Sequence, residues 1–152
     1  EIKMTEKFEF RKIRPEEYEL IEKMQQDEGF NKYFVPDNKM DLVLLNGNII
    51  GVFYLSGSYT PELQIGILPE YRNKGYAVKL TEQIVGELFS EGISQVNLKI
   101  HKDNKASLNL AKKCGFHIDW ENEELNPENK EDMYYTLYKR NYMVYGNKNR
   151  GR

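Results

Sequence analysis

The feature that most limits the fold of this chain is a strand, a short turn and a long helix that follow one another between residues 62 and 91. Residues 62–68 predict a strand, because Leu63, Ile65 and Ile67 alternate with less apolar residues at the period of a half-buried strand, and Pro69 ends the run. From residue 75 to residue 91 apolar side chains recur at helical spacing, and Gly92 stands where helices often end. A strand that leads directly into an amphipathic helix predicts an α/β domain.

The other segments fit the same class. Residues 8–13 predict a first strand, Pro15 predicts the start of a helix with Gly29 as its stop, and residues 30–39 have no clear assignment. Asn46-Gly47 predicts a β-hairpin, because both residues tolerate positive φ. Further strands are predicted over residues 95–101, 116–120 and 133–139, and a short helix over residues 104–113. The strand over residues 95–101 has two unlike faces, one apolar and one polar.

Length and composition predict one ordinary domain. The 152 residues are 39% hydrophobic and 30% charged, and we expect a single domain over residues 1–152, with a core of about 8–142 and a frayed basic tail at 146–152. The net charge of −2 argues against a nucleic-acid partner. No apolar stretch reaches the ~20 residues of a membrane span and no signal-peptide pattern is present, so a soluble, cytoplasmic protein is expected, with no membrane partner.

Cysteine usage narrows the chemistry. Cys114 is the single cysteine, which excludes an intramolecular disulfide and a multi-cysteine zinc site, and no metal is expected. Cys114 itself is expected to be a buried apolar residue, not a nucleophile. A homodimer is left open.

The turn before the long helix has a composition that suits a phosphate. The first N–H groups of a helix lack internal partners and lie at its positive end. Gly75 would let the backbone approach a ligand closely, and Arg72 and Lys74 add positive charge. The alternative is an ordinary strand-to-helix turn in which Arg72 and Lys74 are only solvated.

Three motifs in this order resemble the Gcn5-related N-acetyltransferase (GNAT) superfamily. Arg72-Asn73-Lys74-Gly75-Tyr76-Ala77 matches its acetyl-CoA signature, Arg/Gln-x-x-Gly-x-Gly/Ala, and Pro69-Glu70-Tyr71 is a frequent lead-in. Asn104 to Ser107, followed by Gly115-Phe116, is similar to the family's Asn-x-x-Ser/Ala helix that ends in Gly-Phe. The serine and the preceding His-x-Asp-Asn run most resemble the branch of ribosomal-protein-alanine and polyamine acetyltransferases. The resemblance covers about residues 8–142.

The resemblance implies a mixed, mostly antiparallel central sheet flanked by helices, with a V-shaped opening between its fourth and fifth strands. Acetyl-CoA would be the cosubstrate. Its pantetheine would pair with the fourth strand, its pyrophosphate would take backbone N–H groups, and an asparagine would bind it from the next helix. The cofactor-binding residues implied in this way are Gly66, Ile67, Leu68, Arg72, Asn73, Lys74, Gly75, Tyr76, Ala77 and Asn104.

The activity implied is N-acetylation of a primary amine by direct attack in a ternary complex. The acceptor would be a peptide N-terminus, a polyamine or another small amine. Two departures keep a non-catalytic acyl-CoA-binding module as the alternative: Ala111 replaces the usual tyrosine acid, and Gln64 occupies a position where relatives often carry glutamate. Acceptor specificity would depend on variable regions such as residues 30–39 and 122–133.

Three residues are candidates for the chemistry. Glu62 shares a strand face with Gln64 and Gly66 and would take the amine proton or hold a cationic substrate, unless it is only a strand-end glutamate in solvent. His101 is the other candidate base, because its ordinary pKa suits proton transfer, although it also fits a plain loop residue. The Ser107 hydroxyl would donate to the thiolate or to the cofactor carbonyl, or else be a small packing residue.

An acidic segment bears on the acceptor. Residues 121–132 contain six acidic residues and one lysine, a net charge of −5. Beside an acceptor site this segment would attract polyamines, lysine-like amines or basic peptide N-termini. A solvated loop is the alternative.

Overall fold

The computed structural model describes residues 7–34 and 36–142, and the predicted tail at 146–152 lies outside this part of the chain. Its strands are β1 (Glu9–Lys12), β2 (Asp41–Leu45), β3 (Asn48–Ser56), β4 (Glu62–Ile67), β5 (Gln95–His101), β6 (His117–Ile118) and β7 (Asp132–Tyr138). Its α-helices are α1 (Tyr18–Gln26), α2 (Glu28–Tyr33), α3 (Tyr76–Ser90), α4 (Lys105–Lys113) and α5 (Trp120–Leu125), and short 3-10 helices cover Pro15–Glu17 and Pro69–Tyr71. None of these helices is long and apolar enough to cross a membrane.

The described strands are hydrogen-bonded in the order β1-β2-β3-β4-β5-β7-β6. The pairs β1–β2, β2–β3, β5–β7 and β6–β7 are antiparallel, whereas β4 and β5 run parallel. The predicted class, an α/β fold with a mixed, mostly antiparallel sheet flanked by helices, is therefore confirmed.

Contacts group the chain into two compact units that interleave along the sequence. Unit 1 runs to Tyr54 and also includes Gln64–Gln83, and unit 2 comprises Leu55–Leu63 and the residues from Ile84 onward. The three boundaries fall inside β3, inside β4 and inside α3. A single domain over the whole chain stays a prediction.

Unit 1 is built on the predicted hairpin and one apolar core. Asn46 and Gly47 have φ values of 52° and 83°, which is the turn that Asn-Gly favours, and they join β2 to β3. The α1–α2 segment contributes Met24, Phe30 and Phe34 to the core that also buries strand residues. The buried members of this core are Ile13, Met24, Phe30, Phe34, Met40, Leu42, Val52 and Leu68. This packing anchors the α1–α2 segment within unit 1.

Unit 2 contains an antiparallel ladder of β5 and β7 with two unlike faces. Val96 lies opposite Leu137 and both are buried, as the predicted apolar face requires. The alternate residues form the polar face of β5, which we define as Gln95, Asn97, Lys99 and His101. The prediction of a two-faced strand at residues 95–101 is confirmed.

Two predicted boundaries were wrong. Gly29 does not end the first helix, because the chain breaks at Asp27 and the Asp27 carboxylate accepts the Phe30 N–H at 3.2 Å to cap α2. The strand predicted over residues 116–120 is only two residues long, because Asp119 caps α5 by accepting the Asn122 N–H at 3.1 Å. The acidic segment therefore begins in a short helix.

Candidate active site

Residues Asn73 to Ala77, which we call the 73–77 loop, connect the segment after β4 to α3 and include its first two residues. Asn73 and Gly75 have positive φ values of 61° and 82°. Glycine and asparagine are the residues that take this conformation at least cost. The Gly75 carbonyl accepts the Lys79 N–H at 3.4 Å, which makes Gly75 the N-cap of α3.

The backbone donors of the 73–77 loop are available to a ligand. Within the described residues, the N–H groups of all five loop residues lack a hydrogen-bond acceptor. Tyr76 and Ala77 open the first turn of α3, where the helix dipole is positive. The exposed Lys74 adds a cation, with its Nζ 5.8 Å from the centre of the Tyr71 ring. Unpartnered donors, a positive helix end and a lysine together fit a pyrophosphate.

The space beside Gly75 is open. A Cβ built on Gly75 would meet no atom within 4 Å, so a side chain there would occupy room that a ligand can use. The positive φ of Gly75 adds a second cost, since an L residue in this conformation loses about 1–2 kcal/mol. Substitution of Gly75 must therefore be judged against its effect on stability.

The residues at the end of β4 and directly after it that are expected to meet pantetheine already have partners in unit 1. A Cβ on Gly66 would overlap the ring of Phe30. The Ile67 carbonyl accepts a hydrogen bond from Arg72 Nε at 2.9 Å, and the Leu68 N–H donates to the Ile50 carbonyl at 2.9 Å. A pantetheine that paired with these two groups would have to replace the bonds, and the role of the three residues stays a prediction.

Arg72 has an internal network in place of the solvated position considered from sequence. Its Nη2 atom lies 2.8 Å from Asp27 Oδ2, and its guanidinium carbon lies 5.3 Å from the centre of the Phe30 ring. The hydrogen bond from Arg72 lowers the pKa of the Asp27 carboxyl below its ordinary value, so this carboxyl stays ionised at neutral pH. Sequence reasoning missed Asp27 and Phe30, because 45 residues separate Asp27 from Arg72.

Asn104 and Ser107 lie at the start of α4 in unit 2. Asn104 Oδ1 accepts the Ser107 N–H at 3.3 Å and so caps the helix. The Asn104 side-chain NH₂ has no acceptor among the described residues and can donate to a ligand. Farther along the helix Ala111 is fully buried, and Cys114 at its end is buried as predicted. The cofactor role of Asn104 and the donor role of Ser107 stay predictions.

Glu62, the predicted base, lies opposite Asn97 in the parallel pairing of β4 and β5. Partners in a ladder point to the same face, so the half-buried Glu62 side chain lies on the same face as Asn97. The Asn97 N–H donates to the Pro61 carbonyl at 2.8 Å, which holds this end of β4 against β5. Among the described residues the Glu62 carboxylate has no hydrogen-bond partner.

A hydrogen-bonded group beside Glu62 was missed from sequence. Thr136 Oγ1, in a residue that is 1% exposed, donates to Asn97 Oδ1 at 2.7 Å, and Gln95 Nε2 donates to Thr136 Oγ1 at 2.9 Å. Because the amide oxygen of Asn97 is occupied, its NH₂ remains as a donor on the face that carries Glu62. The polar alternation of β5 was a visible signal, but the partner from β7 depends on the register of distant strands.

His101 ends β5, opposite Asp132 of β7. Its Nδ1 atom accepts the Asp103 N–H at 3.1 Å. A neutral imidazole bonded in this way carries its proton on Nε2, so Nε2 donates and does not accept. This geometry favours Glu62 over His101 as the base, and the role of His101 stays a prediction.

The acidic segment divides into structural and exposed carboxylates. Glu123 Oε1 accepts the Tyr134 N–H at 2.9 Å, and Asp132 Oδ2 accepts from Asn129 Nδ2 at 2.9 Å. Both residues are half-buried and fasten the segment to β7. The exposed carboxylates are those of Glu121, Glu124, Glu128 and Glu131. These four are the part of the segment that can act on a ligand through its electrostatic field.

The model of the acetyltransferase (GNAT) family matches residues 3–116. This match spans most of the 152 residues, and the chain belongs to the GNAT acetyltransferase family, whose acetyl donor is acetyl-CoA. A search of curated proteins finds no match.

Solved structures share the fold over nearly the whole chain. A GNAT-family acetyltransferase from Bacillus anthracis superposes with a TM-score of 0.72 at 20% identity, over 89% of this chain and 96% of that one. Spermidine N-acetyltransferase from Vibrio cholerae, in complex with CoA and spermine, gives 0.71 at 16% identity, over 90% and 98%. A domain from Methanocaldococcus jannaschii gives 0.68 at 17% identity, over 88% and 99%. At these identities the likeness is one of fold.

Proposed function

We propose that this protein is an N-acetyltransferase that transfers the acetyl group of acetyl-CoA to a primary amine by direct attack. The observation that carries the proposal is the 73–77 loop. In a chain of the GNAT family, five N–H groups without acceptors among the described residues are grouped at the positive end of α3. Donors of this kind suit the pyrophosphate of the cosubstrate.

The residues of unit 2 supply the proposed chemistry. Bound acetyl-CoA supplies a thioester carbon, to which the amine nitrogen bonds as the carbon–sulfur bond breaks. The Glu62 carboxylate accepts the proton that the amine loses, directly or through a water molecule. The Asn97 NH₂ is a hydrogen-bond donor on the same face as that carboxylate. The Ser107 hydroxyl is the candidate hydrogen-bond donor to the departing thiolate.

A cationic acceptor is the substrate class we infer. Exposed carboxylates at Glu121, Glu124, Glu128 and Glu131 create a negative field that raises the local concentration of cationic amines. The fold is also that of a spermidine N-acetyltransferase of Vibrio cholerae. Polyamines are therefore the first acceptors to test, followed by lysine derivatives and peptide N-termini.

A second candidate function is binding of acyl-CoA without transfer. The observation that favours it is Ala111, a fully buried methyl side chain. By the family resemblance, many relatives carry a tyrosine hydroxyl at this position. Binding without transfer requires only the 73–77 loop and does not use Glu62.

One experiment distinguishes the two functions. Calorimetry first measures binding of acetyl-CoA, and a thiol-release assay then screens spermidine, spermine, lysine derivatives and peptides that begin with alanine or serine. Transfer predicts that thiol release depends on the amine, and that mass spectrometry finds the acetylated amine. Binding without amine-dependent release would favour the second candidate, and absence of binding would contradict both.

A further inference from the structure

Arg72 joins three parts of unit 1. Its Nε donates to the Ile67 carbonyl at the end of β4, and its Nη2 donates to Asp27 Oδ2 at the junction of α1 and α2. Its guanidinium also faces the Phe30 ring at 5.3 Å, within cation–π range. We call Arg72, Asp27 and Phe30 the clamp. Arg72 directly precedes the 73–77 loop, so the clamp ties that loop to the α1–α2 junction.

Two glycines make the close approach possible. A Cβ on Gly29 would lie 2.9 Å from Arg72 Nη1 and 3.1 Å from Asp27 Oδ2. A Cβ on Gly66 would overlap the Phe30 ring. Side chains are therefore absent at both points where the clamp meets neighbouring backbone, and the clamp is packed tightly against α2 and β4.

The far end of the clamp borders an open groove of unit 1. Its lining includes Leu20, Met24, Asp27, Phe30, Leu68 and Glu70. Phe30 also begins residues 30–39, the region expected to bear on acceptor specificity. A change at the 73–77 loop that moves Arg72 would therefore reach a surface that a second ligand can touch.

We propose that Arg72 is a positioning residue: through Asp27 and Phe30 it couples occupancy of the 73–77 loop to the order of α2 and of the adjoining groove. The inference depends on the proposed function, because it assumes that the loop binds the pyrophosphate of CoA. Coupling of this kind is reciprocal, so a ligand that orders the groove would also tighten CoA binding.

The test compares variants by hydrogen exchange with CoA alone as the probe. In the wild type, CoA should slow amide exchange in the 73–77 loop and also in α2, residues Glu28–Tyr33. In Arg72→Gln the loop should still be protected at saturating CoA, but α2 should no longer respond, and the CoA dissociation constant should rise about 5-fold or more. Absence of loop protection in the wild type would contradict the proposed function; loop protection without an α2 response would contradict only the inference.

Asp27→Asn separates positioning from direct phosphate contact. Asparagine still caps α2 but removes the charge that holds Arg72, so the clamp account predicts the same loss of the α2 response and weaker CoA binding. If Arg72 contacted the phosphate itself, Asp27→Asn would leave CoA affinity unchanged or improve it, which would overturn the inference. The double variant should be no worse than either single one.

Arg11→Gln is the matched control. Arg11 forms a two-point ion pair with Glu17, with both N–O distances 2.7 Å, in the same unit but apart from the loop. Loss of this ion pair should lower the stability about as much as loss of the Arg72–Asp27 pair. It should leave both the CoA affinity and the α2 response unchanged. An equal effect of Arg11→Gln and Arg72→Gln on the α2 response would reduce the clamp to general stability and overturn the proposal.

Discussion

The 73–77 loop offers backbone groups to a ligand, whereas the polar face of β5 and its neighbours Glu62 and Thr136 offer side chains. The loop consists of consecutive residues and offers backbone N–H groups, whose positions follow from two left-handed residues and a helix start. The polar face offers side chains, and Glu62, Asn97 and Thr136 come together only through the pairing of β4, β5 and β7. Under the proposed function, this difference predicts that cofactor binding and chemistry can be altered separately by substitution.

Substitution of Glu62, which lies beside the polar face of β5, should change kcat more than any other variant considered. Glu62→Gln preserves shape but cannot accept a proton, so kcat should fall by ~10²-fold or more while the acetyl-CoA dissociation constant stays near that of the wild type. Steady-state thiol release and calorimetry measure the two quantities. The control is Glu91→Gln, an exposed glutamate of the same unit, which should change neither. Full activity in Glu62→Gln would remove Glu62 as the base.

Substitution in the 73–77 loop should instead change the affinity for acetyl-CoA. Gly75→Ala should weaken acetyl-CoA binding by about tenfold or more, because the methyl group enters the space beside the N–H donors and the strained backbone shifts them. Gly92→Ala is the control: Gly92 also has positive φ, 100°, and a Cβ there would also meet no atom within 4 Å. Both variants should melt a few degrees lower, and only Gly75→Ala should lose affinity. Equal affinities of Gly75→Ala and Gly92→Ala for acetyl-CoA would contradict the proposal that the 73–77 loop binds the cosubstrate.

The same difference explains what could be predicted from the sequence. The 73–77 loop was singled out from consecutive residues, because a strand end, a glycine before a helix and two neighbouring cations are local features of the sequence. The positive φ of Asn73 was not predicted, and the role of the loop stays a prediction. The hairpin at Asn46-Gly47 and the two faces of β5 were predictable for the same reason. Local patterns also failed locally: Gly29 suggested a helix stop, but the side chain of Asp27 divides α1 from α2.

The partners of the candidate residues could not be predicted, because they depend on register and packing between distant segments. Thr136 reaches Asn97 across 39 residues, and Arg72 reaches Asp27 across 45. A one-residue slip in β7 would turn Thr136 to the other face and leave Asn97 without this donor. No periodicity within a single segment contains that information.

The exposed and the hydrogen-bonded carboxylates of the acidic segment should respond differently to substitution, and these effects should be the smallest. Glu124→Gln should lower kcat/KM for the best cationic amine by less than about threefold at low salt. It should also make kcat/KM less dependent on salt and leave the stability unchanged. Glu123→Ala should instead destabilise the protein by about 1 kcal/mol, because it removes the oxygen that accepts the Tyr134 N–H. Thermal unfolding and kinetics at two salt concentrations test both variants. A reaction that is insensitive to salt would contradict a cationic acceptor.

We propose that the unpartnered N–H groups of the 73–77 loop receive the pyrophosphate of acetyl-CoA. Amide-resolved hydrogen exchange by NMR, with and without saturating acetyl-CoA, tests it directly. We expect the amides of residues 73–77 to become protected, while the amides of Glu91 and Gly92 beyond the other end of α3, which donate to helix carbonyls, exchange as before. Binding of acetyl-CoA without protection of the loop amides would contradict the account.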